Sequence, residues 1–220
     1  MSDPEELACT PTSITLDAFN PYVKLPFDLT VEHLFNTMRD FLNFLGLINR
    51  TLHQQKIERL ETMMQPAGFS GLVGEFMVSR IPQYCGSLAK NRYHNGHPDL
   101  VPAGRYSGDA VQYADEGIEV KASRYTSGWQ GHNPENAWLM VFVFDSNRPR
   151  DLDASDPIIY PFRFLAVYGA QLTMDDWRFS GRSATSRRTI TASVTAAGRE
   201  KMIANWIYKA PKSPATELPE

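Results

Sequence analysis

Cysteine is nearly absent from this sequence, since Cys9 and Cys85 are the only two among 220 residues. Two cysteines do not make a disulfide framework, and no Cys-x-x-Cys or Cys/His cluster indicates structural zinc. Long apolar runs are also missing, because none approaches the roughly 20 residues that span a bilayer. The N-terminus MSDPEELACT is acidic, without the basic-then-apolar pattern of a secretion signal. We therefore expect a soluble, intracellular protein with reduced thiols and no membrane partner.

Apolar residues at helical spacing predict that the first third of the chain is mainly helical. Residues 1–27 are rich in Pro, Thr and Asp and are expected to be irregular. Residues 30–65 repeat apolar side chains at helical intervals, with Gly46 expected to divide the segment into two helices and Pro66 to end it. A further helix is predicted over residues 70–81, where apolar side chains share one side.

Extended segments predict a sheet in the middle of the chain, at residues 97–102, 117–123, 137–144 and 162–168. The third is a continuous apolar run, as expected of a central strand covered on both faces. Residues 83–96 are expected to form a loop and residues 196–208 a last helix. This order predicts an α/β or α+β fold with a mixed central β-sheet flanked by helices.

The length of the chain suits one domain over residues 1–220 with a single well-filled core. We divide the chain into three parts: a mainly helical N-terminal part (1–68), a catalytic core (70–170) and a basic C-terminal segment (171–220).

Two carboxylates and a lysine occupy positions where charge is unusual. Glu119 and Lys121 are two residues apart on a predicted strand, so both side chains project from one face while their apolar neighbours project from the other. The apolar strand that follows places them near the middle of the sheet, where charge more often serves function than solvation. Asp99 stands in the preceding extended segment. Phosphodiester hydrolysis needs hard oxygen ligands for metal ions, an activated water and a group that stabilises phosphate charge.

Residues 98–99 (Pro-Asp) and 119–121 (Glu-Val-Lys) resemble the signature of the PD-(D/E)xK nuclease superfamily, which includes many restriction endonucleases. These are the only Pro-Asp pair and the only Asp/Glu-x-Lys in the chain. They stand in the order and at the spacing that the signature requires. The resemblance covers about residues 70–145 and implies a restriction-endonuclease-like core.

The resemblance also implies a role for each residue of the motif. Asp99 and Glu119 would hold one or two Mg²⁺ ions, and the carbonyl of Val120 would add an oxygen ligand. Lys121 would position the attacking water and stabilise the phosphate charge, with a general-base role as the alternative. Glu75, on the preceding helix, would complete the metal shell directly or through water.

These roles imply a Mg²⁺-dependent endodeoxyribonuclease of a prokaryotic cytoplasm, first of all a type II restriction endonuclease that cuts double-stranded DNA at a specific sequence. Symmetric cutting of both strands favours a homodimer. A repair or phage-defence nuclease that reads DNA structure or modification is the second hypothesis. A non-catalytic DNA-binding module is the third, although the intact Asp99, Glu119 and Lys121 argue against it.

Two segments are candidates for contacting DNA. The first follows the motif, where Gln130, His132 and Asn133 suit base edges or phosphates, although a glycine-rich connection around a buried Trp129 fits equally well. The second lies in residues 178–212, which carry a local net charge of +7 while the whole chain carries −3. In this second segment three arginines stand among small hydroxyl residues suited to the DNA backbone: Arg182, Arg187 and Arg188. A solvated tail is the alternative there.

Five other ionisable residues near the motif compete for the same roles. His94 and His97 stand beside Asp99, but without further His or Cys partners they favour a structural or DNA-contact role. The remaining three lie between the two halves of the motif and are expected in a solvated loop: Asp109, Asp115 and Glu116.

Overall fold

The structure is a computed structural model that describes residues 3–131, 133–180 and 191–211. Its α-helices are α1 (Pro4–Ala8), α2 (Val31–Gln54), α3 (Leu60–Met63), α4 (Pro66–Arg80) and α5 (Ala196–Ala204). Within these described ranges, no helix is both long enough and apolar enough to cross a membrane. The described part of the lead-in is irregular as predicted, apart from α1 and one short 3₁₀ turn.

Helix α2 is longer than the sequence predicts because Gly46 lies inside it. Thr30 caps the helix: its hydroxyl accepts from the His33 N–H at 3.3 Å, and its own N–H donates to His33 Nδ1 at 3.2 Å. A Cβ at Gly46 would meet Pro11 Cδ at 3.0 Å, so the glycine allows the N-terminal segment to pack closely against the helix. The predicted break at Gly46 was therefore wrong, and the helix continues to Gln54.

Pro66 begins helix α4, which corrects the prediction that it ends the preceding helical segment. The N–H groups of a first helical turn have no partner within the helix, so a residue without an N–H and with a fixed φ suits that position. The buried residues of α4 then face the sheet, with Phe69, Val73 and Met77 fully covered.

The strands of the described residues are β1 (Leu88–Lys90), β2 (Leu100–Pro102), β3 (Ile118–Ser123), β4 (Gln130–Gly131), β5 (Ala137–Asp145), β6 (Arg163–Leu172), β7 (Trp177–Ser180), β8 (Thr191–Val194) and β9 (Trp206–Lys209). Six of them form one mixed sheet in the order β1-β2-β3-β5-β6-β9. Strand β3 pairs with β5 in parallel, whereas the other neighbours are antiparallel. The predicted mixed sheet flanked by helices is confirmed.

Strand β5 is the central element that its apolar run predicts, because every residue from Ala137 to Phe144 is buried. Two predictions at the sheet edges need correction. The expected loop over residues 83–96 contains the edge strand β1, and the expected helix over residues 196–208 stops at Ala204 so that β9 can pair with β6. A second, three-stranded sheet in the order β4-β8-β7 was not predicted.

An apolar core covers each face of the main sheet. Helices α2 and α4 cover the first face with Phe41 and Phe69, against Phe142 and Phe144 of β5. The small sheet and α5 cover the second face around β5 and β6. Each large side chain buried in these cores contributes on the order of 1.5–3 kcal/mol. The second core stops at β5, and the charged residues of β3 continue that face beyond it.

Candidate active site

Asp99 is held beside strand β3 by the backbone of the other half of the motif. Because Leu100 pairs with Ile118, Asp99 comes to lie next to β3, where its Oδ2 accepts the Val120 N–H at 2.9 Å. The N–H and C=O of a strand residue leave the same side of the strand. The carbonyl of Val120 therefore faces the edge occupied by Asp99, which is the position that its predicted role as an oxygen ligand requires.

Glu119 and Lys121 share one face of β3, as their spacing predicts. In the parallel register they pair with Leu139 and Val141, which belong to the second core. The Lys121 Nζ donates to Glu119 Oε1 in a close ion pair. Glu119 is only 8% exposed, so this carboxylate depends on neighbouring cations for compensation.

His97 and Glu135 complete the cluster; the sequence placed His97 beside Asp99 in a structural or DNA-contact role but did not point to Glu135. His97 Nδ1 lies 3.0 Å from Glu119 Oε2 and 3.2 Å from Glu135 Oε2. Its ring stacks on Tyr113 with centroids 5.6 Å apart, and its buried Nε2 has no hydrogen-bond partner among the described residues. The position of His97 just before the Pro-Asp pair was the available signal. Glu135 gave none, because the fold alone brings it close.

The acidic cluster carries more negative charge than its own cations balance. Burial raises the pKa of Asp99, and the neighbouring Glu119 carboxylate raises it further, to about 7, against the opposing effect of Lys121. Burial also opposes ionisation of Glu119, but the hydrogen bond from His97 and the charge of Lys121 outweigh it and lower the pKa of Glu119 to about 2. Burial lowers the pKa of Lys121, but Glu119 and Asp99 outweigh it and raise it.

A cavity of about 1140 Å³ opens over this cluster and receives all four predicted catalytic side chains. Asp99, Glu119 and Lys121 form its floor together with His97 and Glu135, the deep members of the lining. The remaining wall contains polar residues of three connections. Arg92, Tyr93 and His94 lie between β1 and β2, Gln112 lies between β2 and β3, and Asn133 lies before β5. The cavity is therefore acidic at its floor and polar or basic along part of its rim.

The donor set of the floor fits a magnesium ion. Asp99, Glu119 and the Val120 carbonyl supply hard oxygen atoms, which Mg²⁺ prefers, and the raised pKa of Asp99 reflects negative charge that a divalent cation would balance. As arranged among the described residues, no three acidic, histidine or cysteine side chains form a complete ligand set. Both oxygens of Glu119 are engaged by Lys121 and His97, so Glu119 would exchange at least one of these contacts for the metal.

Glu75 lies at the rim of the cavity instead of its floor. Its side chain is 70% exposed, and its Oε2 is 2.8 Å from Lys90 Nζ. The structure therefore brings Glu75 into the same cavity as the motif but directs its carboxylate to a lysine partner. This arrangement suits contact with a metal through water better than direct ligation.

Only some of the residues predicted to contact DNA lie in the described part of the chain. Gln130 is exposed on β4 and Asn133 lines the cavity. Trp129 is buried at 3% exposure and its Nε1 donates to the Tyr125 carbonyl at 2.9 Å, so the structural interpretation holds for the tryptophan itself. Four predicted residues lie outside the described part of the chain: His132, Arg182, Arg187 and Arg188.

The three acidic competitors lie in a surface loop, as expected. Asp109 accepts the Gly104 N–H at 2.7 Å, Asp115 accepts the Tyr113 hydroxyl at 3.1 Å, and Glu116 pairs with Arg105. None of the three is part of the cavity lining.

Comparison of the chain with protein-family models, with curated proteins and with solved structures gives no match. The interpretation of the site therefore depends on its own residues and geometry.

Proposed function

We propose that this chain is a Mg²⁺-dependent endodeoxyribonuclease of the PD-(D/E)xK type that cuts double-stranded DNA at a specific sequence in a prokaryotic cytoplasm. The observation that carries the proposal is convergence: Asp99, Glu119, Lys121 and Glu75, chosen from the sequence, line one cavity. Lys121 pairs with the buried Glu119, whose charge also raises the pKa of Asp99, so the three motif side chains act on one another.

Each residue of the floor would have a separate role in hydrolysis. When bound, Mg²⁺ would supply Lewis-acid activation of the phosphate and of a water. Asp99, Glu119 and the Val120 carbonyl would hold the ion. Lys121, which is already paired as a cation with Glu119, would orient the attacking water and stabilise negative charge developing on the phosphate. Glu75 would act from the rim through water.

Plasmid cleavage in Mg²⁺, in Ca²⁺ and in EDTA tests this proposal. Asp99→Asn, Glu119→Gln and Lys121→Met should each reduce the Mg²⁺-dependent rate by about 10²–10³-fold or more, because each removes a charge that acts on the reacting phosphate. Glu116→Gln is the matched control, since it removes an exposed carboxylate outside the cavity and should cut normally. Near wild-type cleavage by all three floor variants would refute the proposal. Near wild-type cleavage by one variant would show that its residue has no part in the reaction.

Three further experiments separate the finer parts of the proposal. Discrete fragments from a long DNA, with sequenced ends, indicate sequence-specific cutting, whereas cutting only at branched or modified DNA indicates a structure- or modification-directed nuclease. DNA binding without cleavage in Mg²⁺ indicates a binding module. The homodimer is proposed from the symmetry of double-strand cutting alone, and light scattering during size-exclusion chromatography measures it.

A further inference from the structure

A second cavity, the arginine cavity, lies at the far end of strand β3 from Glu119. Its volume is about 600 Å³, and it borders the first turn of α4 and the segment that follows β3. Three arginines and one acidic residue line it: Arg124, Arg148, Arg150 and Asp153. Such an excess of guanidinium groups in a concave surface favours an anionic ligand.

Arg124 has no carboxylate ion-pair partner among the described residues, although the charges of Asp145 and Asp151 favour its cationic form. Its guanidinium donates to the backbone carbonyls of Ser146 at 2.5 Å and Asn147 at 3.5 Å, and it lies over the rings of Phe69 and Phe144. Its Nε is buried without a hydrogen-bond partner, and it forms no ion pair, in the part of the chain that the structure describes. Arg124 is therefore a half-buried cation that no carboxylate of the described residues pairs with directly.

The neighbouring arginines add to this positive charge instead of relieving it. Arg148 pairs with Asp151 at 2.9 Å, yet it still acts on Arg124, whose pKa is lowered first by burial and then by the charge of Arg148. Arg150 is exposed at the rim of the arginine cavity. The cavity therefore combines one half-buried guanidinium, held by backbone carbonyls, with an exposed one at its entrance.

We propose that the arginine cavity binds a phosphate group of the DNA backbone other than the phosphate that is cut. This proposal rests on the proposed nuclease function and adds a second contact to it. Two forked N–H donors of an arginine match two phosphate oxygens. Arg124 follows Lys121 by three residues, about 10 Å along extended chain, and this odd spacing places the two side chains on opposite faces of β3, so the phosphate held by Arg124 would not be the one that is cut.

Helix α4 borders both cavities. Ser70, near its beginning, lines the arginine cavity, and Glu75, one and a half turns later, lines the catalytic cavity. Gly74 lies between them, where a Cβ would stand 3.9 Å from the Ala122 N–H nitrogen of β3. Helix and strand thus pack closely between the two cavities, which share no lining residue.

Duplex DNA binding, measured by fluorescence anisotropy at several salt concentrations with Ca²⁺ in place of Mg²⁺, tests the arginine cavity. Arg150→Gln should weaken binding by up to about fivefold and reduce the salt slope by about one unit, since one phosphate contact is lost. Arg124→Gln should have a larger effect, with its thermal unfolding checked because this side chain also packs on two rings. Lys24→Gln, which removes an exposed cation of the N-terminal segment that lines neither cavity, should bind like wild type.

A second measurement separates failure of this proposal from failure of the nuclease function. Inorganic phosphate should raise the melting temperature of wild type more than that of Arg150→Gln. If wild type binds DNA and both arginine variants match it in affinity and salt slope, the arginine cavity is not a backbone site, whether or not the protein cuts. If wild type does not bind DNA but phosphate still stabilises it through Arg150, the anion is a free phosphate and the DNA assignment is overturned.

Discussion

Gly117 offers a direct test of how the fold positions Asp99. A Cβ at this residue would stand 2.2 Å from the Leu100 carbonyl oxygen and 2.4 Å from Pro98 Cγ, the residues on either side of Asp99. Its φ of 145° is also one that side chains with a Cβ rarely adopt. Gly117→Ala must therefore either move the Asp99 segment or distort the start of β3.

The expected cost follows from these two contributions. Backbone strain at an unfavourable φ costs about 1–3 kcal/mol, and overpacking costs about 1–3 kcal/mol, so the free energy of unfolding should fall by about 2–6 kcal/mol. At about 2–4 °C per kcal/mol for a chain of this size, the melting temperature should fall by about 5–20 °C. A displacement of Asp99 by about 1 Å should also reduce cleavage on the order of a hundredfold.

Two glycine variants serve as matched controls in thermal unfolding and plasmid cleavage. Gly104→Ala has a φ of 72° and open space around the new Cβ, so it measures the strain without the close contact. Gly71→Ala lies in α4 with nothing within 4 Å and should be neutral or stabilising, because alanine favours the helix. If Gly117→Ala melts and cuts like wild type, the close packing described around Asp99 is incorrect.

Three other perturbations test the surroundings of the site. His97→Ala should lower activity or Mg²⁺ affinity by about 10–100-fold, because it removes a group that positions Glu119; His97→Gln should restore part of the loss, and an unchanged Mg²⁺ titration for His97→Ala would contradict this role. Glu75→Gln should slow single-turnover cleavage less than Glu119→Gln does, since Glu75 is an exposed partner of Lys90; an unchanged rate would leave it a surface residue. Burial opposes ionisation of Asp40, but hydrogen bonds from Tyr84 and Arg80 hold its pKa below the usual value. The stability that ionised Asp40 contributes should be present above about pH 4 and disappear as the pH falls through the lowered pKa. Asp40→Asn should therefore melt at a lower temperature than wild type at pH 7 and approach wild type below pH 4. A difference in melting temperature that does not change with pH would exclude the effect.

Local sequence patterns predicted the structure correctly where the burial of a segment is evident from its own residues. The apolar run at residues 137–144 identified the central strand, and the alternation around Glu119 and Lys121 identified the charged face of its neighbour. Both inferences follow from the two-residue period of a strand. The predictions at Gly46 and Pro66 were wrong, because a glycine can lie within a helix as well as at its end, and a proline can begin a helix as well as end one. At Gly46 the choice was made by packing against Pro11.

Long-range pairing alone decided how the candidate site is completed. Parallel pairing of β3 with β5 brings the residues before β5 to the beginning of β3, and this places Glu135 beside His97, 38 residues earlier in the chain. No periodicity in either segment reports that contact. The sequence by itself therefore determined which residues alternate and which carry chemistry, since these are properties of a few neighbouring positions. Tertiary structure decided which of those residues meet, because contacts between distant segments depend on strand order and register.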